Sequence, residues 1–576
     1  MKKSMKTKVI ALALAMTVMG TFAAGCGGGG GGGDSGNTTK ITVGIIDAGI
    51  KDEFVNKMID RFEADYKDHS FEDGKTGVTV SVVANDSYAG DTAFGQIPNS
   101  EEDVFFTESI YYDKFVKGGV FAEITDIVTS DMSDVGEAGK TIEGKLTDGQ
   151  KNFLKTSNKY YALPFYEAFS GLYYDADLFA EKQLYFAKGG CPSEFSAYTQ
   201  ANNTDKASGA FSAYAFTKNG AKSAGPDGKY GTSDDGLPAT YEEFFKLCDE
   251  MLGASVVPLT WPGRHADYIN EFATALTMNY EGMENGYVNY SLDGTIEIVD
   301  TIDANGNVTT KTQTINNENG YLTYQQAGRY YALDFISKIA KNPSYYNRSA
   351  VSGDHYACHE DFLYGRFDSE YDKIGMIIEG SWWYNESGYV FEEMEGYGES
   401  AYKENRNINI MPFPHPTAAQ IGNEQTFVSL KESLAFINAK TTGGALEASK
   451  TFLKYAHTNK SLVEFQQTTN IPRAIQFTMT NDELNACLPY GRETYRIHTE
   501  ENILYPYSTN PLYLSSPTAF IAKDNWSSNT EKGSFKKAVT AFMNTDGLTA
   551  KMYFEGLSTY MSKDTWDSNF SAYYNK

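Results

Sequence analysis

Three short runs of β-branched and aromatic residues near the N-terminus constrain the fold of this chain more than any other feature. The runs are KITVGII at 40–46, VTVSVVA at 78–84 and DVFF at 103–106. Their composition predicts buried strands. Between the first two runs, apolar residues share one face of a helix predicted over 52–66: Phe54, Val55, Met58, Ile59 and Phe62. Strands that alternate with helices are typical of an α/β domain with a largely parallel sheet.

The loops that follow the three strands are the first candidate site. In parallel sheets the carboxyl ends of neighbouring strands meet at one edge, and ligands bind beyond that edge. This rule selects residues 47–50, 85–88 and 107–112.

The first 25 residues have the pattern of a secretory signal. Four lysines precede an apolar run, Val9–Met19, and small residues then lead to Cys26. The run spans only about 16 Å as a helix, too short for a hydrocarbon core of about 30 Å. Small residues directly before a cysteine resemble the lipobox of a bacterial lipoprotein, which implies lipidation of Cys26. The glycines at 27–33 open a flexible tether over residues 26–39; ordinary cleavage after Ala24 is the alternative.

The charge of the chain excludes some partners. The 576 residues carry a net charge of −26, and the leader holds four lysines but no acidic residue, so the mature chain is more acidic still. A polyanion repels phosphate backbones and anionic headgroups, which argues against nucleic-acid binding. The hydrophobic content of 41% is ample for a large buried core.

Five further segments, in their order and spacing, identify the family that the chain resembles. They are DVFFTES with GGVFAEITDIV, YYALPFYEAFSGLYYDADLF, LPATYEEFFKLCDEM, KIGMIIEGSWW, and INIMPFPHP with the stretch that runs to NIPRA. Together they resemble the extracellular solute-binding proteins of carbohydrate ABC importers, the group that includes maltose-binding protein. Two positions depart from the family pattern: Tyr241 stands in place of the usual tryptophan, and Asp175 in place of the usual asparagine.

The resemblance implies a two-lobed periplasmic-binding-protein-like fold of type II, in the α/β class. Mixed, mainly parallel sheets are flanked by helices, and the ligand cleft lies between the lobes. The expected lobes are 40–165 plus 432–475 and 170–430 plus 480–576, with insertions at 185–236 and 285–320. Within the second insertion, residues 294–315 also carry a hairpin signal around Ala304-Asn305-Gly306-Asn307.

The resemblance also implies a function. The chain is expected to be the substrate-binding component of an ABC transporter, which captures a sugar or oligosaccharide outside the cell and delivers it to the transmembrane permease subunits. It would be a monomer without catalytic residues, cofactor or metal, held by its lipid on the extracytoplasmic face of the membrane. A secreted glycan-degrading enzyme remains an alternative, because paired carboxylates are recognised by geometry and not by spacing. A binding protein for a non-sugar solute is another.

Sugar recognition needs aromatic faces for C–H groups and planar polar partners for hydroxyls. Trp382 and Trp383 match the position at which the family stacks an aromatic ring on sugar, and consecutive residues of an extended segment point opposite ways. We therefore expect one in the cleft and the other in the core. Trp261, between prolines and glycine, is expected on an exposed loop as a ligand contact, and Arg264 follows it.

Four further contacts lie in loops and in a segment that crosses between the lobes. Glu108 and Tyr111 follow the third strand, and Glu167 falls in the crossing segment, where the family often has a ligand carboxylate. Asp47 follows the first strand, although it equally suits a helix cap.

The sequence does not decide whether metal sites or disulfides form. His355, Cys358 and His359 lack a fourth ligand at a recognisable spacing, so a surface turn is preferred to a metal site. The acidic loop with Asp227, Asp234 and Asp235 has oxygen ligands for calcium but not the EF-hand spacing. Spacing does not decide whether disulfides form among Cys191, Cys248, Cys358 and Cys487.

Overall fold

Most of the chain after the leader is described by the structure. The computed structural model describes residues 37–46, 49–108, 111–188, 216–217, 221–304, 306–430, 432–522 and 525–574. The predicted signal peptide, the predicted lipidation site Cys26, the glycine run, Asp47 and Cys191 lie outside these ranges. The helices of the described residues include none that is both long and apolar enough to cross a membrane.

The first sheet has five strands and draws on two separate stretches of the chain. In order across the sheet they are Val78–Ala84, Thr39–Ile45, Val104–Thr107, Leu434–Ile437 and Leu163–Pro164. The first three run parallel. Leu434–Ile437 returns from the other part of the molecule and runs antiparallel to both of its neighbours. Phe436 stacks on Phe105 across this pairing, with ring centres 5.3 Å apart.

The second sheet has four strands, in the order Val257–Thr260, Ile374–Gly380, Ser170–Asp175 and Ile408–Met411. The first two are parallel, and Ser170–Asp175 is antiparallel to both of its neighbours. The sheets are therefore mixed, as expected, but less dominated by parallel pairs than the sequence predicts. Ser170–Asp175 and Leu434–Ile437 each follow a segment that crosses from the other sheet, and each runs in the direction opposite to its neighbouring strands.

Helices flank both sheets. With the predicted lobe bounds, those of the first lobe are Glu53–Asp65, Gly90–Gln96, Tyr112–Lys117, Thr125–Thr129, Asp148–Leu154, Gly443–Tyr455 and Asn459–Thr469. Those of the second lobe are Ala176–Lys182, Tyr241–Gly253, Asp267–Ser291, Ala327–Ala340, Ser349–Ser352, His355–Tyr364, Trp383–Glu386, Gly388–Met394, Asn481–Asn485, Pro489–Glu500, Pro511–Ser515, Pro517–Phe520, Ala538–Asn544, Ala550–Tyr560 and Lys563–Tyr574.

Short strand pairs decorate this frame. The expected hairpin is present as Gly294–Ile302 with Val308–Ile315. The remaining pairs are Lys155–Thr156 with Lys159–Tyr160, Tyr185–Phe186 with Phe216–Thr217, Thr426–Val428 with Asn502–Leu504, and Ser528–Thr530 with Gly533–Phe535.

The chain passes between the two sheets in segments that are hydrogen-bonded to one another. Phe165 N donates to Ser433 O at 2.9 Å, and Leu430 N donates to Ala168 O at 2.7 Å. Glu167 N donates to Pro472 O at 3.0 Å, which adds a third segment. Crossing segments that lie side by side can bend together, which is the arrangement of a hinge. The residue bounds of the two lobes stay a prediction.

Candidate functional site

The candidate site begins where the strands of the first sheet end. Ile46 N donates to Phe106 O at 3.0 Å, and Ala89 forms a parallel bridge with Glu108. The loops after the three parallel strands therefore meet at one edge, as the sequence predicts. Asp47 belongs to this edge by sequence but lies outside the described residues.

Gly49 brings this edge into contact with the second lobe. A Cβ atom at Gly49 would lie 2.9 Å from both the Cβ and the carbonyl oxygen of Trp382, and 2.8 Å from Cγ of Glu386. Only a residue without a side chain fits such an approach without displacement. The two lobes thus touch at Gly49, and Trp382 lies at their boundary.

Trp382 and Trp383 have different surroundings. Trp382 is 7% exposed and its ring centre lies 6.4 Å from that of Tyr268. Trp383 is 0% exposed and packs in an aromatic cluster with Tyr173, His359, Phe362, Tyr384 and Tyr490. The two indoles do not differ because they alternate along an extended segment. Trp382 has helical backbone angles and occupies the N-cap position of the helix Trp383–Glu386.

Carboxylates from both lobes approach one another beside Trp382. The Tyr166 hydroxyl donates to Glu108, and burial followed by the charge of Glu108 raises the pKa of Tyr166 well above its usual value. Burial, together with the charges of Glu379 and Glu108, raises the pKa of Glu386 to about 7. The charge of Glu108 in the first lobe thus acts on Glu386 in the second, and Glu386 lies with Trp382 around Gly49.

Glu167 is an interior residue of the crossing segment. Its Oε1 accepts from His498 Nδ1 at 2.7 Å and from the Tyr505 hydroxyl at 2.5 Å. Its Oε2 is buried without a hydrogen-bond partner among the described residues. The side chain is 0% exposed, so it is not a solvated surface acid.

Trp261 does not have the exposed position that the sequence predicts. It follows the strand Val257–Thr260, as a loop residue should, but it is 1% exposed and its ring centre lies 5.1 Å from that of Tyr346. The expectation of an exposed indole is wrong, because packing inside the second lobe covers the ring. Arg264 is exposed and forms an ion pair with Asp354 at 3.0 Å. Tyr111 is exposed at the edge of the first sheet.

Several residues of the boundary were missed in the sequence. A pocket of about 590 Å³ lies between the lobes, next to Gly49 and Glu386. Its wall includes Lys51 from the first lobe and Tyr356, Tyr389 and Lys403 from the second. Glu386 has a recognisable signal, because it lies four residues after Trp382 and so shares its helix face. Tyr268 and Tyr356 have no such signal in the sequence, because they belong to segments far from Trp382 along the chain and reach the lobe boundary only in the folded structure.

The acidic loop is satisfied locally, and the surface turn expected around His355, Cys358 and His359 is instead the helix His355–Tyr364, which buries Cys358 and His359. Asp234 accepts from Asp227 N at 2.9 Å and from the Thr232 hydroxyl at 2.7 Å, so the acidic loop binds its own donors. Cys248, Cys358 and Cys487 are buried free thiols. The Cys358 Sγ lies 3.5 Å from the Thr260 hydroxyl.

Comparisons with known proteins agree with this architecture. The family model of bacterial extracellular solute-binding proteins matches residues 48–456, whereas no curated protein sequence matches the chain. A chitin oligosaccharide binding protein is similar in structure, with a TM-score of 0.53 and 14% identity over 92% of this chain and 100% of that chain.

Two other solved structures are similar to the same degree. A binding protein of an ABC transporter from Bifidobacterium animalis subsp. lactis, in complex with mannobiose, gives a TM-score of 0.52 and 14% identity over 92% of this chain and 95% of that chain. Maltose-bound MalE3 of T. maritima gives 0.51 and 12% identity over 91% and 99%. These likenesses show the fold, and the expected two-lobed α/β class is confirmed.

Proposed function

Because the chain belongs to the family of bacterial extracellular solute-binding proteins, we propose that its solute is a sugar or oligosaccharide. On this proposal it captures the sugar outside the cell and delivers it, chemically unchanged, to the transmembrane subunits of an ABC importer. The observation that carries the proposal is the position of Trp382 at the lobe boundary, beside Gly49 and Glu386.

The chemistry of this boundary suits a hydroxyl-rich solute. An indole face packs against sugar C–H groups, and carboxylates accept charge-assisted hydrogen bonds from hydroxyls. Proteins of similar structure have been solved with mannobiose and with maltose. We propose Asp47, Glu108, Tyr111 and Trp382 as the contact set. Trp383 and Trp261 are left out, since neighbouring side chains cover both indoles.

Binding would act through closure of the lobes. A solute that contacts both lobes binds the closed form better than the open form and shifts the population towards it. The crossing segments at 165–169 and 470–473 would bend, and the permease would recognise the closed shape. A dissociation constant near 1 µM corresponds to about −8 kcal/mol, which a stacked ring and a few charge-assisted hydrogen bonds can supply.

The lipid anchor is part of the proposal. Lipidation of Cys26, with the glycine tether, would hold the folded lobes on the extracytoplasmic face of the membrane. Membrane fractionation tests it: Cys26→Ala should move the protein from the membrane fraction to the soluble fraction, and an unchanged distribution would refute the anchor.

A thermal-shift screen tests the solute class. Chitin oligosaccharides, raffinose, maltose and mannobiose are compared with peptides and polyamines, and a bound solute raises the melting temperature. For the sugar that binds, Trp382→Ala should weaken affinity about tenfold or more, measured on the folded fraction because removal of this largely covered ring also costs stability. Trp383→Ala should instead cost about 3–5 kcal/mol of stability, the usual loss for a buried tryptophan.

The exposed Tyr230 provides the control, since Tyr230→Ala removes an aromatic ring away from the proposed contact set. Equal affinity in wild type and Trp382→Ala would reject the stacking site. A shift with peptides or polyamines alone would reject a sugar, and hydrolysis products in the same samples would favour a glycan-degrading enzyme.

A further inference from the structure

One imidazole and two carboxylates meet in the second lobe, close to Trp382. The Nε2 atom of His359 lies 3.1 Å from Oε1 of Glu379. Ligand atoms of His359, Glu379 and Glu386 all lie within 4.8 Å of one another. His359 lies in the helix His355–Tyr364, Glu379 near the end of the strand Ile374–Gly380, and Glu386 at the end of the helix Trp383–Glu386. Three separate elements thus present metal-ligating groups to one point.

Two atoms of this cluster have no hydrogen-bond partner. His359 Nδ1 and Glu386 Oε2 are both buried, and neither is hydrogen-bonded among the described residues. Glu379 Oε2, in contrast, accepts from Gly380 N at 2.7 Å. Buried polar atoms in native proteins are almost always satisfied by protein, water or an ion. The unpartnered Oε2 of Glu386 therefore indicates a missing ligand at this place.

We propose that His359, Glu379 and Glu386 bind one divalent transition-metal ion of the zinc type. Imidazole nitrogen and carboxylate oxygen are ordinary zinc ligands, at about 2.0–2.2 Å from the ion. In a tetrahedral site such ligand atoms are about 3.3 Å apart, close to the 3.1 Å between His359 and Glu379. Three protein ligands leave the fourth position for water.

Charge supports the same ligand. His359 and Glu379 are 0% exposed, and Glu386 is largely covered. Two carboxylates that are buried together are costly unless a positive charge compensates them. A divalent ion supplies that charge and would take the unpartnered Oε2 of Glu386, with His359 Nε2 and Glu379 Oε1 as its other ligand atoms. The Glu379–Gly380 hydrogen bond would fix the orientation of one ligand, as outer contacts do in metal sites.

A line of imidazoles connects the cluster to the surface. The ring of His359 lies 5.9 Å from that of His355, which lies 6.3 Å from the ring of His265. His265 is exposed and His355 is half-buried. Successive imidazoles would offer exchangeable ligands along this line.

The ion would support the lobe boundary without being the transported solute. Glu386 follows Trp382 in the same turn, and a side chain at Gly49 would touch both of them. Coordination of Glu386 would therefore hold the turn that carries Trp382. The proposal does not depend on which solute the protein binds.

Titration with metal ions alone tests the site. The folded chain is stripped with EDTA, dialysed, and titrated with Zn²⁺ by calorimetry and thermal unfolding, without any sugar. We expect one ion per chain and a rise in melting temperature of about 3 °C or more. Glu379→Gln and Glu386→Gln should each weaken Zn²⁺ binding about tenfold or more. Glu392→Gln is the matched control at an exposed position of the neighbouring pocket.

Two results would overturn the proposal: no thermal shift with Zn²⁺ or Co²⁺ in wild type, or Zn²⁺ affinity in both glutamine variants equal to that of wild type. If the variants do not fold, tryptophan fluorescence of wild type decides. The His359 ring lies 5.6 Å from that of Trp383, so bound Co²⁺ should quench the emission and EDTA should restore it. Unchanged emission at saturating Co²⁺ would also refute the site.

Discussion

Trp382 and Trp383 are neighbours in the chain, yet one lies at the boundary between the lobes and the other is enclosed by aromatic rings. The same residue type therefore has a boundary position and a packing position in consecutive residues. The pair was recognised in the sequence, but the partner of each ring was not. Trp261 shows the converse, because a proline- and glycine-flanked segment that favours exposure is covered by tertiary packing.

Glu281 provides a pH-dependent prediction at the scale of one residue. Burial raises its pKa to about 8, although its Oε1 accepts from Gly328 N at 2.8 Å. A raised pKa favours the protonated folded state. The stability that this proton provides is complete below the ordinary pKa of 4.5 and is lost as pH rises towards 8.

Glu281→Gln mimics the protonated acid. At pH 8 to 9 the variant should be more stable than wild type by roughly 1–3 kcal/mol, and near pH 4.5 the two should be about equal. Urea unfolding across this pH range measures the difference, with the exposed Glu284→Gln in the same helix as control. A constant difference at all pH values would contradict the assigned protonation.

At the scale of elements, local pattern was a good guide. The predicted helix 52–66 is observed as Glu53–Asp65, and the strand over 78–84 has the predicted bounds. The helical period of the apolar residues and the run of β-branched residues are enough to predict these two elements, because each element buries one continuous face. The ion pairs between elements had no such signal. Asp175 Oδ2 accepts from Arg406 at 2.7 Å while its Oδ1 caps the helix Ala176–Lys182 through Leu178 N at 2.9 Å.

Asp175 stands where the resemblance implies an asparagine, and its partner explains the difference. Asp175→Asn keeps an acceptor for the helix cap but leaves the buried Arg406 guanidinium without a carboxylate. We expect a loss of about 3 kcal/mol in the free energy of unfolding. Asp177→Asn, at a partly buried position of the same helix whose carboxylate accepts from the Asn407 amide and not from a buried cation, should change stability by less than about 1 kcal/mol. Equal effects of the two changes would show that the buried pair contributes little.

At the scale of the whole molecule, the two lobes meet where residue 49 has no side chain. Gly49→Ala would place a Cβ within 2.9 Å of Trp382 and 2.8 Å of Glu386, so it should hinder closure without disturbing either sheet. We expect weaker solute binding, by about threefold to tenfold, and a larger radius of gyration in the bound state by X-ray scattering. Gly95→Ala is the control, because nothing lies within 4 Å of the added atom. Unaltered affinity and scattering in Gly49→Ala would exclude closure at this contact.

The sequence by itself determined the elements, the edge of the first sheet and the family, because periodicity, turn residues and motif order are local properties of a chain. It also selected Glu108 and the tryptophan pair as candidates. Only the tertiary structure decided which tryptophan lies at the lobe boundary, that Trp261 is covered, and that Glu379 and Glu386 approach His359. These outcomes depend on contacts between residues far apart in sequence, where burial and charge act through distance in space and leave no spacing to recognise.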